Sequence, residues 1–143
     1  MDDPYNLHRF VAAQDPVLDG VIAELRSGAK VGHWMWFVFP QLRSLGRSAA
    51  AQYYGIASID EARAYLAHDL LGPRLRQCIE TVLPWAGKRS PEQIFGPIDT
   101  LKLRSCLTLF DAIEPGSIFG AALTGLFDGR ADQQTLALLN SER

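Results

Sequence analysis

Helix starts recur along this chain at intervals that leave room only for short helices. Asp15-Pro16, Ser90-Pro91 and S-I-D-E over 58–61 each offer a side chain that can accept from an orphan backbone N–H. Each also carries a proline or carboxylate suited to a first turn. Behind these signals the apolar residues repeat at helical spacing: Val17, Val21, Ile22 and Leu25 in one stretch, and Leu71, Leu75, Cys78, Ile79 and Val82 in the stretch that Asp69 can cap. Asn6 can cap L-H-R-F-V-A-A-Q, and Ser48 can open A-A-A-Q-Y-Y before Gly55. Asp99 can start T-L-K-L-R-S-C-L-T-L-F, with Leu103, Cys106, Leu107 and Phe110 on one side, and Ile118 and Asp132 mark the last two helices. The pattern predicts an all-α fold, a compact bundle of about eight short helices with no alternating strand pair. W-F-V-F over 36–39 is the exception, because it has strand propensity.

Short connections, with no internal repeat and no flexible linker, predict one domain over residues 1–143. A globule of this length buries about two-thirds of the surface its unfolded chain would expose. At 48% hydrophobic and 21% charged residues, the composition excludes a disordered or low-complexity chain. The net charge is -2 and the basic residues are interspersed with acidic ones, so no nucleic-acid partner is expected. M-D-D-P-Y-N lacks the basic and apolar regions of a secretory signal, and no apolar run approaches a membrane span, so a cytoplasmic location is expected. Cys78 and Cys106 form no C-x-x-C pair and lie near no histidine at metal-ligand spacing, which predicts buried, reduced thiols.

One stretch concentrates aromatic surface. H-W-M-W-F-V-F-P-Q over 33–41 holds two tryptophans and two phenylalanines between a histidine and a glutamine. Its rings suit a central plug around which helices assemble. The polar frame points elsewhere, since His33, Gln41 and the indole N–H groups of Trp34 and Trp36 need partners when buried. Pockets for small molecules have this makeup of apolar walls and a few placed polar groups. Lys30 adds a charge and His33 a titratable imidazole at the mouth.

Further candidates lie downstream. Asp99 and Lys102 stand at i, i+3 and can line one polar edge of a helix, or simply cap and solvate it. Tyr54 offers a phenol. Arg74 falls early on its helix, where the dipole does not favour a cation, so it asks for an anion or a carboxylate partner. Phosphate-cradling, dinucleotide-binding, nucleophile-elbow and zinc-protease motifs are all absent, and the three histidines lie far apart, so neither cofactor nor metal is expected.

The run G-A-K-V-G-H-W-M-W-F-V-F-P-Q-L, followed by Y-G-I, E-A-R-A-Y-L-A-H-D-L-L-G-P-R-L, I-F-G-P-I-D-T-L-K-L and T-L-F, closely resembles the bacterial family catalogued as domain of unknown function 1810. The resemblance spans about 5–139 and implies an all-helical, single-domain protein. Some members carry the label calpastatin-like, yet calpain inhibitors are long disordered chains, whereas this composition demands a packed core. Where the family usually shows S-S-M-T-L-F, this chain has S-C-L-T-L-F over 105–110, with Cys106 in place of a serine. The order of an aromatic and glutamine block, an E-A helix and L-G-x-R is also similar to that of the helical superfamily acting on NAD and ADP-ribose derivatives. That similarity implies Trp34 or Trp36 stacking on a base, with Arg74 or Lys102 facing phosphate.

Together these readings predict a cleft lined by Lys30, His33, Trp34, Trp36 and Gln41, completed by Tyr54, Arg74, Asp99 and Lys102, for a nucleotide-like or ADP-ribose-like small molecule. If a glycosidic bond is hydrolysed there, Asp99 is the candidate carboxylate and His33 the candidate acid or base. The alternative is a non-enzymatic interaction module that docks a partner through the exposed part of the aromatic stretch.

Overall fold

Four aromatic rings run in a row through the interior. Phe10, Tyr65, Phe110 and Phe119 follow one another at centroid separations of 5.1, 5.5 and 5.7 Å, all with no exposed surface. In the computed structural model, which describes residues 2–142, each ring comes from a different helix. The helices are α1 (His8–Gln14), α2 (Leu18–Ser27), α3 (Met35–Val38), α4 (Ala49–Tyr54), α5 (Ile59–Ala67), α6 (Leu71–Val82), α7 (Pro91–Phe95), α8 (Pro97–Ile113), α9 (Ile118–Phe127) and α10 (Gln133–Glu142). Two single 3-10 turns, Arg43–Leu45 and Leu83–Trp85, complete the described residues, which contain no strand beyond a lone bridge between Leu42 and Ile56. The fold is all-α. At its centre, α8 packs against α3, α5, α7, α9 and α10, burying Leu103, Cys106, Leu107, Leu109 and Phe110.

Several helix ends follow the capping chemistry. The hydroxyls of Ser48, Ser58 and Ser90 each accept from the backbone N–H three residues on, and the Asp132 carboxylate does the same for Thr135. Gly28 ends α2 in the left-handed region at φ 72°, as a helix-stop glycine should.

Other ends differ from the sequence expectation. Asn6 does not cap α1; it takes φ 50°, and the Asp3 carboxylate reaches past it to the N–H groups of Leu7 and His8. Asp15 closes α1 rather than opening α2, which starts two residues later than Pro16, because its carboxylate is drawn to Arg74. At α6 the cap is His68, whose Nδ1 accepts from Leu70 and Leu71, and not Asp69. Gly96-Pro97 begins α8 two residues before Asp99, which lies in the first turn.

The aromatic stretch is also not a strand. With no neighbouring strand among the described residues, W-F-V-F finds no backbone partner there, whereas one helical turn places Met35, Val38 and Phe39 together in the core. This turn, α3, brings the number of α-helices above the about eight expected from capping signals.

Arg9 joins the first helix to the rest. Its side chain is 4% exposed, and all five guanidinium N–H groups find acceptors: the Tyr5, Asn6, Tyr53 and Gly55 carbonyls and the Glu61 carboxylate at 2.7 Å. Glu61, 3% exposed, uses its other oxygen for the Ala57 N–H instead of closing the reciprocal box with Ser58. A buried pair of this kind is tolerated because no donor is left over. Arg9→Met, which strands the Glu61 charge, is expected to lower stability by about 3–5 kcal/mol in urea unfolding, and Arg9→Met with Glu61→Leu to recover part of that loss. Arg9→Lys keeps a cation for Glu61 and should fall between the native chain and Arg9→Met, since an ammonium has three donors and no planar fork to reach all five acceptors.

Both cysteines are buried and unpaired. Burial pushes the Cys78 thiol up to about 12, and Cys106 is raised by burial as well. Neither thiol is expected to react with a small disulfide reagent at about pH 8 until the chain unfolds, which a denaturant titration with colorimetric readout measures.

Candidate functional site

Glu24 builds the entrance to the aromatic stretch. It lies in the last turn of α2, where the helix dipole disfavours a carboxylate, and its Oε1 accepts from the N–H groups of Val31 (2.6 Å), Gly32 (2.9 Å) and the Trp34 indole (3.1 Å). The indole lies so close to the loop that a Cβ at Gly32 would stand 2.8 Å from Trp34 Cδ1. The Lys30 N–H donates to the Ile94 carbonyl at 2.8 Å, tying the same loop to α7. Trp34 is thereby fixed and 3% exposed, so it belongs to the core.

From this loop a row of cation, anion and cation crosses to α8. Lys30 Nζ lies 4.9 Å from the Trp34 ring centroid and 2.8 Å from Asp99 Oδ2, and it also donates to the Gly32 carbonyl. The other Asp99 oxygen is 3.3 Å from Lys102 Nζ, which stands 4.4 Å from the centroid of the half-buried Trp36 ring. Two ammonium groups share one carboxylate. They are unequal partners: Lys30 is 7% exposed with the shorter contact, whereas Lys102 is 19% exposed with the longer one. Val31, Ile98 and Leu101, the sequence neighbours of Lys30, Asp99 and Lys102, are all open to solvent.

The structure therefore brings together five of the residues singled out in the sequence: Lys30, Trp34, Trp36, Asp99 and Lys102. The other four are placed by different partners. His33 is exposed and lines a hollow of about 360 Å³ together with Glu24, Trp34, Phe37 and the start of α2, and neither lysine borders that hollow. Gln41 is half-buried, and its carbonyl accepts from the Ile56 N–H. Tyr54 packs its ring 5.3 Å from Phe37 and 6.0 Å from Phe10. Arg74 finds the carboxylate its position asks for in Asp15, at 2.8 Å, and also reaches Gln14. Glu24 is the residue that sequence reasoning missed. Its misplacement against the helix dipole was the available signal.

Comparison with known proteins decides the kinship. The model of a family described as protein of unknown function, DUF1810, matches residues 4–139. The chain belongs to this family. A conserved hypothetical protein from Mycobacterium tuberculosis, known from a crystal structure, is 54% identical and superposes with a TM-score of 0.93, covering 96% of this chain and 99% of that one. No curated protein matches the chain. Neither the DUF1810 description nor the mycobacterial protein's name carries the calpastatin-like label. Among the described residues of this DUF1810 protein, no helix is long and apolar enough to cross a membrane.

Electrostatics in this DUF1810 protein follow from the shared carboxylate. Partial burial pushes the Asp99 carboxyl up, but hydrogen bonds and charge from Lys30, then from Lys102, outweigh it and hold the group below its ordinary 3.8. Glu24 is likewise raised by desolvation and lowered further by the Gly32, Val31 and Trp34 N–H groups. A carboxylate with a depressed folded value contributes stability that is fully present above its unfolded value and lost as pH falls through the folded one. The gap in thermal midpoint between the native chain and Asp99→Asn, followed by circular dichroism, is expected to be full at neutral pH and to close as pH drops below 3.8.

Proposed function

We propose that this DUF1810 protein is a cytoplasmic, single-domain protein that binds a small anionic molecule carrying a planar ring, of nucleotide or ADP-ribose type, at the Lys30, Asp99, Lys102 and Trp36 cluster. The observation that carries this reading is the pair of lysines on one carboxylate beside a half-buried indole. One positive charge is left over next to an aromatic face, and Lys102 is the more weakly held of the two ammonium groups. Phosphate can draw Lys102 away from Asp99 while a base stacks on Trp36, with Lys30 held to the other carboxylate oxygen.

The catalytic form of this reading is hydrolysis of a glycosidic bond. With Lys102 on the phosphate, the freed oxygen of an ionised Asp99 suits stabilisation of positive charge at the sugar carbon rather than proton donation. His33, exposed beside the Trp34 hollow, is then the acid or base, reaching its proton through the ligand and not through a bond to Asp99. One observation favours a second reading, a protein-docking surface: Val31, Ile98 and Leu101, the sequence neighbours of Lys30, Asp99 and Lys102, are 79%, 69% and 62% exposed.

A thermal-shift series with NAD, ADP-ribose, AMP and related compounds separates the two. A ligand that binds only the folded chain raises stability by about 2.7 kcal/mol at a hundredfold excess over its Kd. The expected outcome is a dose-dependent rise with an ADP-ribose-like compound, lost in Lys102→Ala and Trp36→Ala while their unliganded melting stays close to that of the native chain. No shift with any of these compounds at millimolar concentration overturns the binding reading and leaves the docking surface.

A further inference from the structure

A second assembly of cations lies elsewhere on the molecule. A cavity of about 510 Å³ opens between the segment 87–92, Arg104 of α8, and the end of α9 through Arg130. That volume falls in the range of small-molecule sites, roughly 300–1,000 Å³. Lys88, Arg89, Arg104 and Arg130 line it against Glu92 and Asp128, so the wall carries a surplus of two positive charges. Among the described residues, none of these four cations is in an ion pair, although two carboxylates line the same cavity.

Two half-buried arginines are held with donors to spare. Arg104 gives its Nε–H to the Arg130 carbonyl at 2.6 Å and one Nη2–H to the Ala131 carbonyl at 3.0 Å, which fixes one edge of the guanidinium and leaves Nη1 without a partner among the described residues. Arg89 donates from Nη2 to the Gln93 carbonyl at 3.1 Å, while its Nε is buried with no acceptor. It is the only buried side-chain nitrogen or oxygen so placed among the described residues. Nε is closed off from solvent, so the Arg89 donor left for a ligand is Nη1, which has no partner among the described residues.

This cavity is separate from the Lys30, Asp99 and Lys102 cluster. Successive residues of an α-helix turn by about 100°, so Arg104 leaves α8 on nearly the opposite side from Lys102. We infer that the cavity binds the phosphate or diphosphate group of a small metabolite. Guanidinium forks match pairs of phosphate oxygens, and a doubly charged group balances the surplus on the wall. Glu92 and Asp128 oppose weakly charged anions and can accept from ligand hydroxyls.

The test is a titration of the full chain with inorganic pyrophosphate at constant ionic strength, followed by amide chemical shifts and by calorimetry, with sulfate as comparator. The expected result is saturable movement of the Gly87, Gly125 and Gly129 amides, with affinity lowered about tenfold in Arg89→Gln and in Arg130→Gln, the loss of one charge-assisted contact in each case. Arg130 is exposed and serves Arg104 only through its carbonyl, so Arg130→Gln keeps the test open if Arg89→Gln folds poorly. Arg63→Gln removes the same charge from an exposed position on α5 and should leave affinity unchanged. Absence of saturation by about 10 mM, equal losses in Arg63→Gln and Arg130→Gln, or sulfate binding as tightly as pyrophosphate would each overturn the assignment.

Discussion

The row Phe10, Tyr65, Phe110 and Phe119 sets the spacing of α1, α5, α8 and α9, and the placement of the aromatic stretch depends on it. Tyr65 brings a hydroxyl into a fully buried position, and burial raises its pKa well above that of a free phenol. Gln14 answers that hydroxyl with its amide at 3.2 Å, then donates to the Phe37 carbonyl at 2.6 Å and receives Arg74. This polar chain runs from the core to the back of α3. With Met35 and Val38 held inward, Trp36 and Phe37 are left half-exposed on the outer side.

Charge is distributed in a way the total conceals. A net charge of -2 describes the chain. Locally, however, two ammonium groups converge on Asp99, and four cations converge around the cavity beside Arg104. The first group is internally paired and the second is not, which is why the two call for different tests. Arg9 shows the third solution, full satisfaction by protein acceptors, and accordingly it serves only the fold.

Much of the fold was legible because helix signals are local. Ser48, Ser58, Ser90 and Asp132 cap as their sequence context implies. The failures share a cause in tertiary partners: Asp15 was diverted by Arg74, which is 59 positions away, and Glu61 by Arg9, which is 52 away. The aromatic stretch was ambiguous by propensity, and packing decided it. At the candidate site, Lys30, Trp34, Trp36, Asp99 and Lys102 were named from residue type, but their juxtaposition was not readable, because Lys30 and Asp99 meet only once α7 and α8 close on the loop. The convergence of the cavity cations is unreadable in the sequence for a related reason. G-K-R-S and F-D-G-R are ordinary turn sequences until the end of α9 is brought against Arg104.

The reach of Arg9 also has a meaning in time. Synthesis proceeds from the N-terminus, and the acceptors of this guanidinium at Tyr53, Gly55 and Glu61 lie 44 to 52 positions downstream. Until those residues have left the ribosome, α1 has no place to bury its charge and must stay hydrated. Docking of α1 therefore waits until the chain has been made as far as the first turn of α5, so a helix made early is held back until a later one begins.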